Sequence, residues 1–308
     1  MSILDGLLQS GRAKGTRGFY LRHNALDELE PKLCSLFEGL ITQKEQIMHI
    51  ISAPSQMVLE KRQDLRLWMK WSATPAYYLV MTSQRMLVAA VAQPGAEPDV
   101  HIFHLSEILT MEFGKILLYA WLEWSWSAGE HVKRLRVHFN TVGEELFHRL
   151  VVDICRNRIE LTGLKSADNS RNLNLLDHLP YKFKNIIAGR LLLPDEAVRG
   201  VVFRDAIWSC TLRVFRRLRA PALALVLTNF HLLAMHEDFG SVGSKYGVIF
   251  RYFPLDSILR ARLQQEDKQT RLDLVLRNNG ARETLQLLFN EDDRVKLQEM
   301  LLYWIMRE

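Results

Sequence analysis

The chain has 308 residues, of which 48% are hydrophobic and 24% are charged, so its composition is that of a folded protein and its length suits two domains. Basic residues outnumber acidic ones by 40 to 35, and the net charge of +5 is too mild to indicate a nucleic-acid partner. The cysteines Cys34, Cys155 and Cys210 lack C-x-x-C spacing, which argues against a disulfide framework or a zinc cluster.

The sequence carries no sign of export or membrane insertion. An acid, Asp5, and no basic region precede the short apolar run near the amino terminus, which argues against a secretory signal. The apolar stretch over 220–227 is far shorter than the ~20 residues that a membrane-spanning helix needs. We therefore expect a cytoplasmic protein.

Hydrophobic periodicity predicts the same succession of elements twice along the chain. Helical stretches are expected over 26–50 and over 175–192, each followed by short strands. Residues 65–71 alternate between apolar and polar, which is typical of a strand with one buried face. Later strands are expected over 134–139 and 271–276.

A helix is expected to close each half. In the first half, Thr141 and Glu144 have the spacing of a capping box, in which two side chains satisfy amide groups at the start of a helix. In the second half, Asn290 is expected to cap a helix whose first turn is acidic. Strands followed by one terminal helix, twice in succession, predict an α+β fold.

Three pairs of segments resemble each other and occur in the same order. Their starting residues are Asn24 and Asn174 (NALDELEPKL and NLLDHLPYKF), Pro75 and Pro221 (PAYYLVMTSQRML and PALALVLTNFHLL), and Phe103 and Phe253 (FHLSEI and FPLDSI). Matching segments at nearly constant spacing indicate a duplicated unit with loop insertions.

The duplication suggests domain boundaries. We predict a flexible arm over 1–23, a first repeat over 24–160 and a second repeat over 174–308. The polar, turn-rich residues 161–173 are the expected linker between the two repeats.

The repeated pattern resembles the pleckstrin-homology-like (PH-like) fold, with the GRAM-type and bacterial PH-like domains nearest. An apolar strand, Thr-(Ser/Asn)-x-(Arg/His), a second strand, F-x-L-x-x-I and a terminal helix carry the resemblance. These residues are Thr82-Ser83-Gln84-Arg85 with Leu105 and Ile108, and Thr228-Asn229-Phe230-His231 with Leu255 and Ile258.

The resemblance implies two tandem PH-like domains, each a small antiparallel sheet or partly open barrel with a carboxy-terminal helix, preceded by helical segments. It also implies binding without catalysis, because members of the family bind anionic lipid headgroups, peptides or protein surfaces. No lipid-site motif of the family matches this chain, so no binding residue is carried over.

A cluster of arginines is the first candidate site. Arg213, Arg216, Arg217 and Arg219 lie in LRVFRRLRAP without an acid among them, at a predicted hairpin tip, whereas the first repeat has only Lys70 there. Guanidinium groups suit phosphate or carboxylate. The alternative is a solvated loop, or arginines paired with acids of the other repeat.

Three tryptophans form the second candidate site. Trp121, Trp124 and Trp126 lie in YAWLEWSW, with Trp124 and Trp126 on one face of a strand and Trp121 on the other. They are interpreted either as core residues or as an exposed surface for a protein partner, because tryptophan is enriched at binding hot spots.

Motifs for catalysis are weak. His101 and His104 lack the glutamate of H-E-x-x-H, which favours two polar strand residues over a metal site. Asp238-Phe239-Gly240 has no kinase catalytic loop to accompany it, and GRAKGTRG, from Gly11, lacks the ending of a phosphate-binding loop. We predict no catalytic residues, no metal and no cofactor.

The sequence therefore favours a non-enzymatic adaptor with duplicated PH-like domains. It would bind an anionic membrane surface, such as the inner membrane face, or an acidic protein partner through the basic hairpin of the second repeat. The alternative is a protein scaffold or a self-associating homo-oligomer that uses sheet edges or the tryptophan surface. Nucleic-acid binding through the same arginines is less well supported, because aromatic residues do not interleave with them.

Overall fold

A computed structural model describes residues 20–61, 69–116, 119–163, 172–211, 215–238, 247–266 and 269–305. The fold is α+β and consists mostly of antiparallel sheet, in agreement with the predicted fold class.

In its described residues, the first half of the chain has a short strand and a helix, followed by nine strands and a second helix. Its elements are β1 (Leu21–His23), a 3-10 turn (Leu26–Glu28), α1 (Pro31–Leu40), β2 (Ile47–Ala53), β3 (Met57–Lys61), β4 (Met69–Ala73), β5 (Ala76–Thr82), β6 (Arg85–Val91), β7 (Asp99–His104), a 3-10 turn (Leu105–Glu107), β8 (Ile108–Ile116), β9 (Tyr119–Ala128), β10 (His131–Asn140), a 3-10 turn (Thr141–Gly143) and α2 (Glu144–Thr162).

The second half follows the same order of elements from its helical segment onward. Its elements are a 3-10 turn (Leu173–Leu176), α3 (Tyr181–Ile186), a π-helical turn (Ile187–Leu191), β11 (Val198–Arg204), β12 (Ile207–Thr211), β13 (Phe215–Ala220), β14 (Leu223–Thr228), β15 (His231–Asp238), β16 (Gly247–Pro254), a 3-10 turn (Leu255–Ser257), β17 (Ile258–Glu266), β18 (Gln269–Asn278), β19 (Ala281–Asn290), a 3-10 turn (Glu291–Asp293) and α4 (Arg294–Ile305).

The strands form two larger sheets, one three-stranded sheet and two hairpins. The orders are β1-β2-β5-β6-β7, β10-β9-β8-β16-β15-β14-β11 and β17-β18-β19, and the hairpins are β3-β4 and β12-β13. The seven-stranded sheet combines strands from both halves of the sequence, since β8 of the first half pairs with β16 of the second.

Two compact units divide the chain. One comprises residues 1–104 with 137–150, and the other comprises residues 105–136 with 151–308. These units follow packing, whereas the boundaries expected above follow the sequence repeat and stay a prediction. In the first unit, α1 packs Leu33 and Phe37 against the sheet. In the second, leucines of several strands pack with Leu297 of α4.

The pairing of β8 with β16 brings together a buried aromatic pair and a partly exposed ion pair. Phe113 lies opposite Phe250, and their rings stack with centroids 5.0 Å apart. Glu112 lies opposite Arg251 and accepts a hydrogen bond from its guanidinium group. Because side chains alternate between the two faces of a strand, the aromatic stack and the ion pair lie on opposite faces of the sheet.

The repeated Thr-Ser-Gln-Arg sequence builds a tight turn between β5 and β6, as predicted. The hydroxyl of Thr82 accepts hydrogen bonds from the amides of Gln84 (3.2 Å) and Arg85 (2.9 Å) and donates to Glu45 Oε1 (2.9 Å). Arg85 Nε donates to the same oxygen at 2.7 Å, and the other oxygen accepts from the amide of Thr42 at 3.0 Å. One carboxylate thus connects the turn to the segment before β2.

The second copy builds the same turn with a histidine in place of the arginine. The hydroxyl of Thr228 accepts from the amides of Phe230 (3.2 Å) and His231 (2.9 Å) and donates to Glu196. His231 Nδ1 lies 2.9 Å from Glu196 Oε1, and Glu196 Oε2 accepts from the amide of Leu193 at 2.9 Å. The two similar sequences are therefore explained by one turn, held by one buried carboxylate, that occurs twice.

Two local predictions differ from the structure. The helix expected over 26–50 ends at Leu40, because Ile41 has an extended backbone (φ −81°, ψ 131°) and the isoleucine-rich β2 follows. The first closing helix is capped by Asn140, which accepts from the amide of Val142 at 3.0 Å, rather than by Thr141. The cap at Asn290 is confirmed.

The expected strand over 65–71 is only partly within the described residues. Leu65 and Leu67 lie outside them, and β4 includes the residues from Met69 onward. The strands expected over 134–139 and 271–276 are confirmed as parts of β10 and β18.

Candidate functional site

The hairpin of β12 and β13 carries the predicted arginines. Its register places Arg216 opposite Cys210 and Arg217 opposite Ser209, and Arg219 has an exposed side chain. These three arginines are therefore distributed along β13 and do not cluster at the hairpin tip, because the strand begins at Phe215. Arg213 lies outside the described residues.

An exposed tryptophan lies on the other strand of this hairpin. Trp208 of β12 has half of its surface exposed (51%) and pairs with Leu218, which lies between Arg217 and Arg219 on β13. Ile207, the preceding residue, is buried, and the ladder has a register shift between the two residues. Sequence reasoning missed Trp208, although its position in the strand paired with the arginine-bearing strand was a usable signal.

A buried arginine lies at the base of the same hairpin. Arg204 ends β11, is 3% exposed, and donates a hydrogen bond to the carbonyl of Pro221, which follows β13. Burial lowers the pKa of Arg204 to about 10, and the nearby carboxylates of Asp293 and Asp205 oppose this effect. The side chain therefore stays largely protonated at neutral pH, and the two carboxylates offset its charge.

The corresponding hairpin of the first half is chemically different. In the register of β3 and β4, the acidic Glu60 lies opposite Lys70 and Lys61 lies opposite Met69. By sequence, β3 and β4 therefore combine one acid with two lysines, whereas β12 and β13 contain three arginines and no acid.

The three predicted tryptophans are buried. The exposures of Trp121, Trp124 and Trp126 are 6%, 0% and 3%. They accordingly form part of the core, and the structure does not present them as an exposed partner surface. The alternation of strand β9 was predicted correctly, but alternation does not show whether both faces of a sheet are covered.

Trp121 belongs to a polar network on one face of the seven-stranded sheet. Its indole Nε1 donates to Glu112 at 3.0 Å, and the guanidinium carbon of Arg136 lies 5.3 Å from its ring centroid. Burial alone raises the pKa of Glu112, but the charge and the hydrogen bond of Arg251 outweigh burial and hold this pKa below its usual value. The network keeps a buried carboxylate ionised within the sheet.

A buried cysteine, histidine and glutamate meet in the second unit. Cys155 of α2 and Glu196 both interact with His231, and their exposures are 0%, 0% and 1%. This set resembles a nucleophile, base and acid, but catalysis requires the nucleophile to contact a substrate. Enclosure in the core, together with the role of Glu196 in the β14–β15 turn, indicates a structural function.

The histidines of the H-x-x-H motif lie on β7. Residues three apart alternate to opposite faces of a strand, so His101 and His104 point away from each other. His101 Nε2 lies 3.3 Å from Asp99 Oδ2. Within the described part of the chain, no group of three histidine, cysteine or acidic side chains is arranged so that it could hold a metal ion.

A surface cleft of about 480 Å³ lies in the first unit beside β1, β2 and α1. Its walls combine Arg22 with the acids Asp27 and Glu38 and with the apolar Met48. Opposite charges on the same wall favour no single class of ligand.

Comparison with known proteins does not assign the chain to a family. No protein-family model matches it, and no curated protein sequence matches it. Among the helices of the described residues, none is long and apolar enough to cross a bilayer. The geometry of the β12–β13 hairpin is therefore the basis for a functional proposal.

Proposed function

We propose that this chain is a non-enzymatic binding protein with two PH-like domains, and that the β12–β13 hairpin binds an anionic membrane surface. The order of elements supports the PH-like proposal, because each half has a four-stranded segment (β2-β5-β6-β7 and β11-β14-β15-β16), then a three-stranded segment (β8–β10 and β17–β19) and a closing helix. The observation that carries the binding proposal is the exposed Trp208 on a hairpin whose other strand carries three arginines.

The chemistry of the hairpin matches the chemistry of a membrane interface. Tryptophan is enriched at the level of lipid headgroups because its ring is apolar and its N–H is polar. Each basic residue near an anionic surface contributes about 1 kcal/mol. Arg213, Arg216, Arg217 and Arg219 together would give weak binding that salt screens readily.

Arg204 lies at the base of the hairpin and is held by the carbonyl of Pro221, so its position is fixed before binding. The carboxylates of Asp293 and Asp205 act on Arg204 and offset its charge, so the attraction to an anionic surface rests on the arginines of the hairpin itself.

Co-sedimentation with liposomes tests the proposal. The full chain is mixed with neutral and with anionic vesicles at low and at moderate salt. One variant changes Arg213, Arg216, Arg217 and Arg219 to serine, and a second is Trp208→Ala. The matched control also removes four positive charges, but from exposed positions outside the hairpin, by changing Lys133, Arg277, Arg282 and Lys296 to serine.

The proposal expects binding of the wild type to anionic vesicles at low salt, loss of binding in the four-arginine variant, and retention in the control. Trp208→Ala should weaken binding to anionic vesicles by a similar factor at low and at moderate salt, because burial of an indole ring does not depend on ionic screening. Equal weakening in the arginine variant and in the control would contradict a specific role of the hairpin.

A further inference from the structure

The pairing between the two halves of the sequence is not symmetric. β8 of the first half pairs with β16 of the second, and this ladder runs from Met111–Tyr252 to Lys115–Val248. The alignment of Phe103 with Phe253 relates β7 to β16, and it also relates β8 to β17. The two paired strands are therefore not equivalent in the repeat: β8 corresponds to β17, whereas its partner β16 corresponds to β7.

The counterparts of these two strands both end their sheets. β7 is the terminal strand of β1-β2-β5-β6-β7, and β17 is the terminal strand of β17-β18-β19, in the part of the chain that the structure describes. Because β8 pairs with β16 inside the chain, the corresponding pair, β17 and β7, is left without this contact. Exposed strand edges are templates for pairing with another chain.

Apolar residues are exposed on both terminal strands where their counterparts are buried. Leu259 of β17 is 50% exposed, whereas its counterpart Leu109 is fully buried and packs in the core of the second unit. Ile102 of β7 is 38% exposed, whereas its counterpart Tyr252 is 2% exposed. Residue 109 and residue 259 also lie at the same register irregularity of their strands.

The polar positions are complementary as well. The internal ladder places Glu112 of β8 opposite Arg251 of β16. The same register applied to β17 and β7 places Arg262 opposite His101, and Asp99 lies on the same face two residues away, 3.3 Å from His101. Arginine therefore meets a carboxylate in both cases, but with the two charges exchanged between the strands.

We propose that β17 of one copy of this chain pairs antiparallel with β7 of a second copy, in the register of the β8–β16 ladder. The proposal is independent of lipid binding. The interface is heterologous, because different surfaces of the two copies meet, so addition of further copies gives a closed ring or an open chain. In this register Leu263 lies opposite Val100 and Ala261 opposite Ile102, which continues the apolar face of the internal ladder.

Two edge variants used together test the proposal. Ile102→Lys places a charge on β7 and Leu259→Lys places one on β17, and both change exposed side chains, so the fold should tolerate them. Val142→Lys, at an exposed residue of a 3-10 turn (84%), is the matched control. Mass is measured by light scattering and sedimentation velocity over a range of concentrations, and circular dichroism checks the fold of each variant.

The wild type and Val142→Lys should associate with rising concentration, and each edge variant alone should stay monomeric. A mixture of Ile102→Lys and Leu259→Lys should form a one-to-one dimer and nothing larger, because only one intact β17 and one intact β7 remain. If an edge variant loses its fold, Asp99→Lys and Arg262→Glu replace the two variants; each alone should stay monomeric, and their mixture should associate again, because the two changes together restore opposite charges across the contact. A monomeric wild type, or a mixture that stays monomeric, would overturn the proposal.

Discussion

The guanidinium group of Arg158 holds both carboxylate oxygens of Asp256, at 3.0 and 2.9 Å, although 98 residues separate the two in the chain. The same guanidinium donates to the carbonyl of Leu105 at 2.7 Å. Arg158 is 2% exposed, so α2 brings a buried charge to the 3-10 turn that precedes β17.

Removal of one partner of this pair should destabilise the protein. Asp256→Ala leaves the guanidinium of Arg158 buried without its carboxylate, which typically costs about 3 kcal/mol or more. The free energy of unfolding is measured with urea for the wild type and the variant. Ser106→Ala, at the position of the first half that corresponds to Asp256, is the control. A loss below about 0.5 kcal/mol for Asp256→Ala would contradict a structural role for the pair.

Acid should weaken the turn that Glu45 holds. The hydrogen bond from Arg85 lowers the pKa of Glu45 from 4.5 to about 2, and burial opposes this effect. Since the folded pKa lies below the unfolded value, the contribution of Glu45 is fully present above pH 4.5 and is lost as the pH falls towards 2. Unfolding free energies across this range should fall more steeply for the wild type than for Glu45→Gln. Equal slopes would contradict the assignment.

His231 should give the opposite dependence on pH. Burial lowers the pKa of His231, but its interactions with Cys155 and with the carboxylate of Glu196 outweigh burial and raise the pKa from 6.5 to about 10. Its contribution is therefore fully present below pH 6.5 and is lost as the pH rises through 10. A histidine NMR titration should find this ring protonated at neutral pH in the wild type. In Glu196→Gln it should titrate at lower pH, and an unchanged midpoint would speak against the ion pair.

Gly114 should not accept a side chain. A Cβ atom at Gly114 would lie 2.0 Å from the indole ring of Trp121, which packs directly over the glycine on the facing strand. Overpacking of this kind typically costs about 1–3 kcal/mol, so Gly114→Ala should lower the midpoint of urea unfolding. Combined with Trp121→Leu, the same change should cost much less. If the loss of unfolding free energy in the double variant equals the sum of the losses in the two single variants, the indole ring is not the cause.

Much of the local structure could be predicted from the sequence. The turns at Thr82 and Thr228 follow from short-range bonds between hydroxyls and nearby amides, and the alternation of β9 follows from strand geometry. The carboxylates of Glu45 and Glu196 could not be assigned, because their partners lie 37 and 32 residues away in the sequence. Contacts over such distances depend on the tertiary fold.

The candidate sites were less predictable than the turns. Alternation placed Trp121, Trp124 and Trp126 on a strand, but their burial depends on what covers each face of the sheet. No feature of the sequence near β8 or β16 predicts that these two strands pair. Their counterparts in the repeat, β17 and β7, lie at the ends of their sheets. Trp208 required the register of the hairpin before its position beside the arginine-bearing strand became apparent.

The most direct test of the proposed membrane contact is the depth of Trp208 in a bilayer. Tryptophan fluorescence is recorded for the wild type and for Trp208→Phe with anionic vesicles that contain brominated lipids, whose bromine atoms quench only nearby indoles. The proposal predicts that quenching occurs in the wild type and is largely lost in Trp208→Phe, because none of the six other tryptophans lies in the β12–β13 hairpin. Equal quenching in the two proteins, or none in either, would contradict membrane binding through the β12–β13 hairpin.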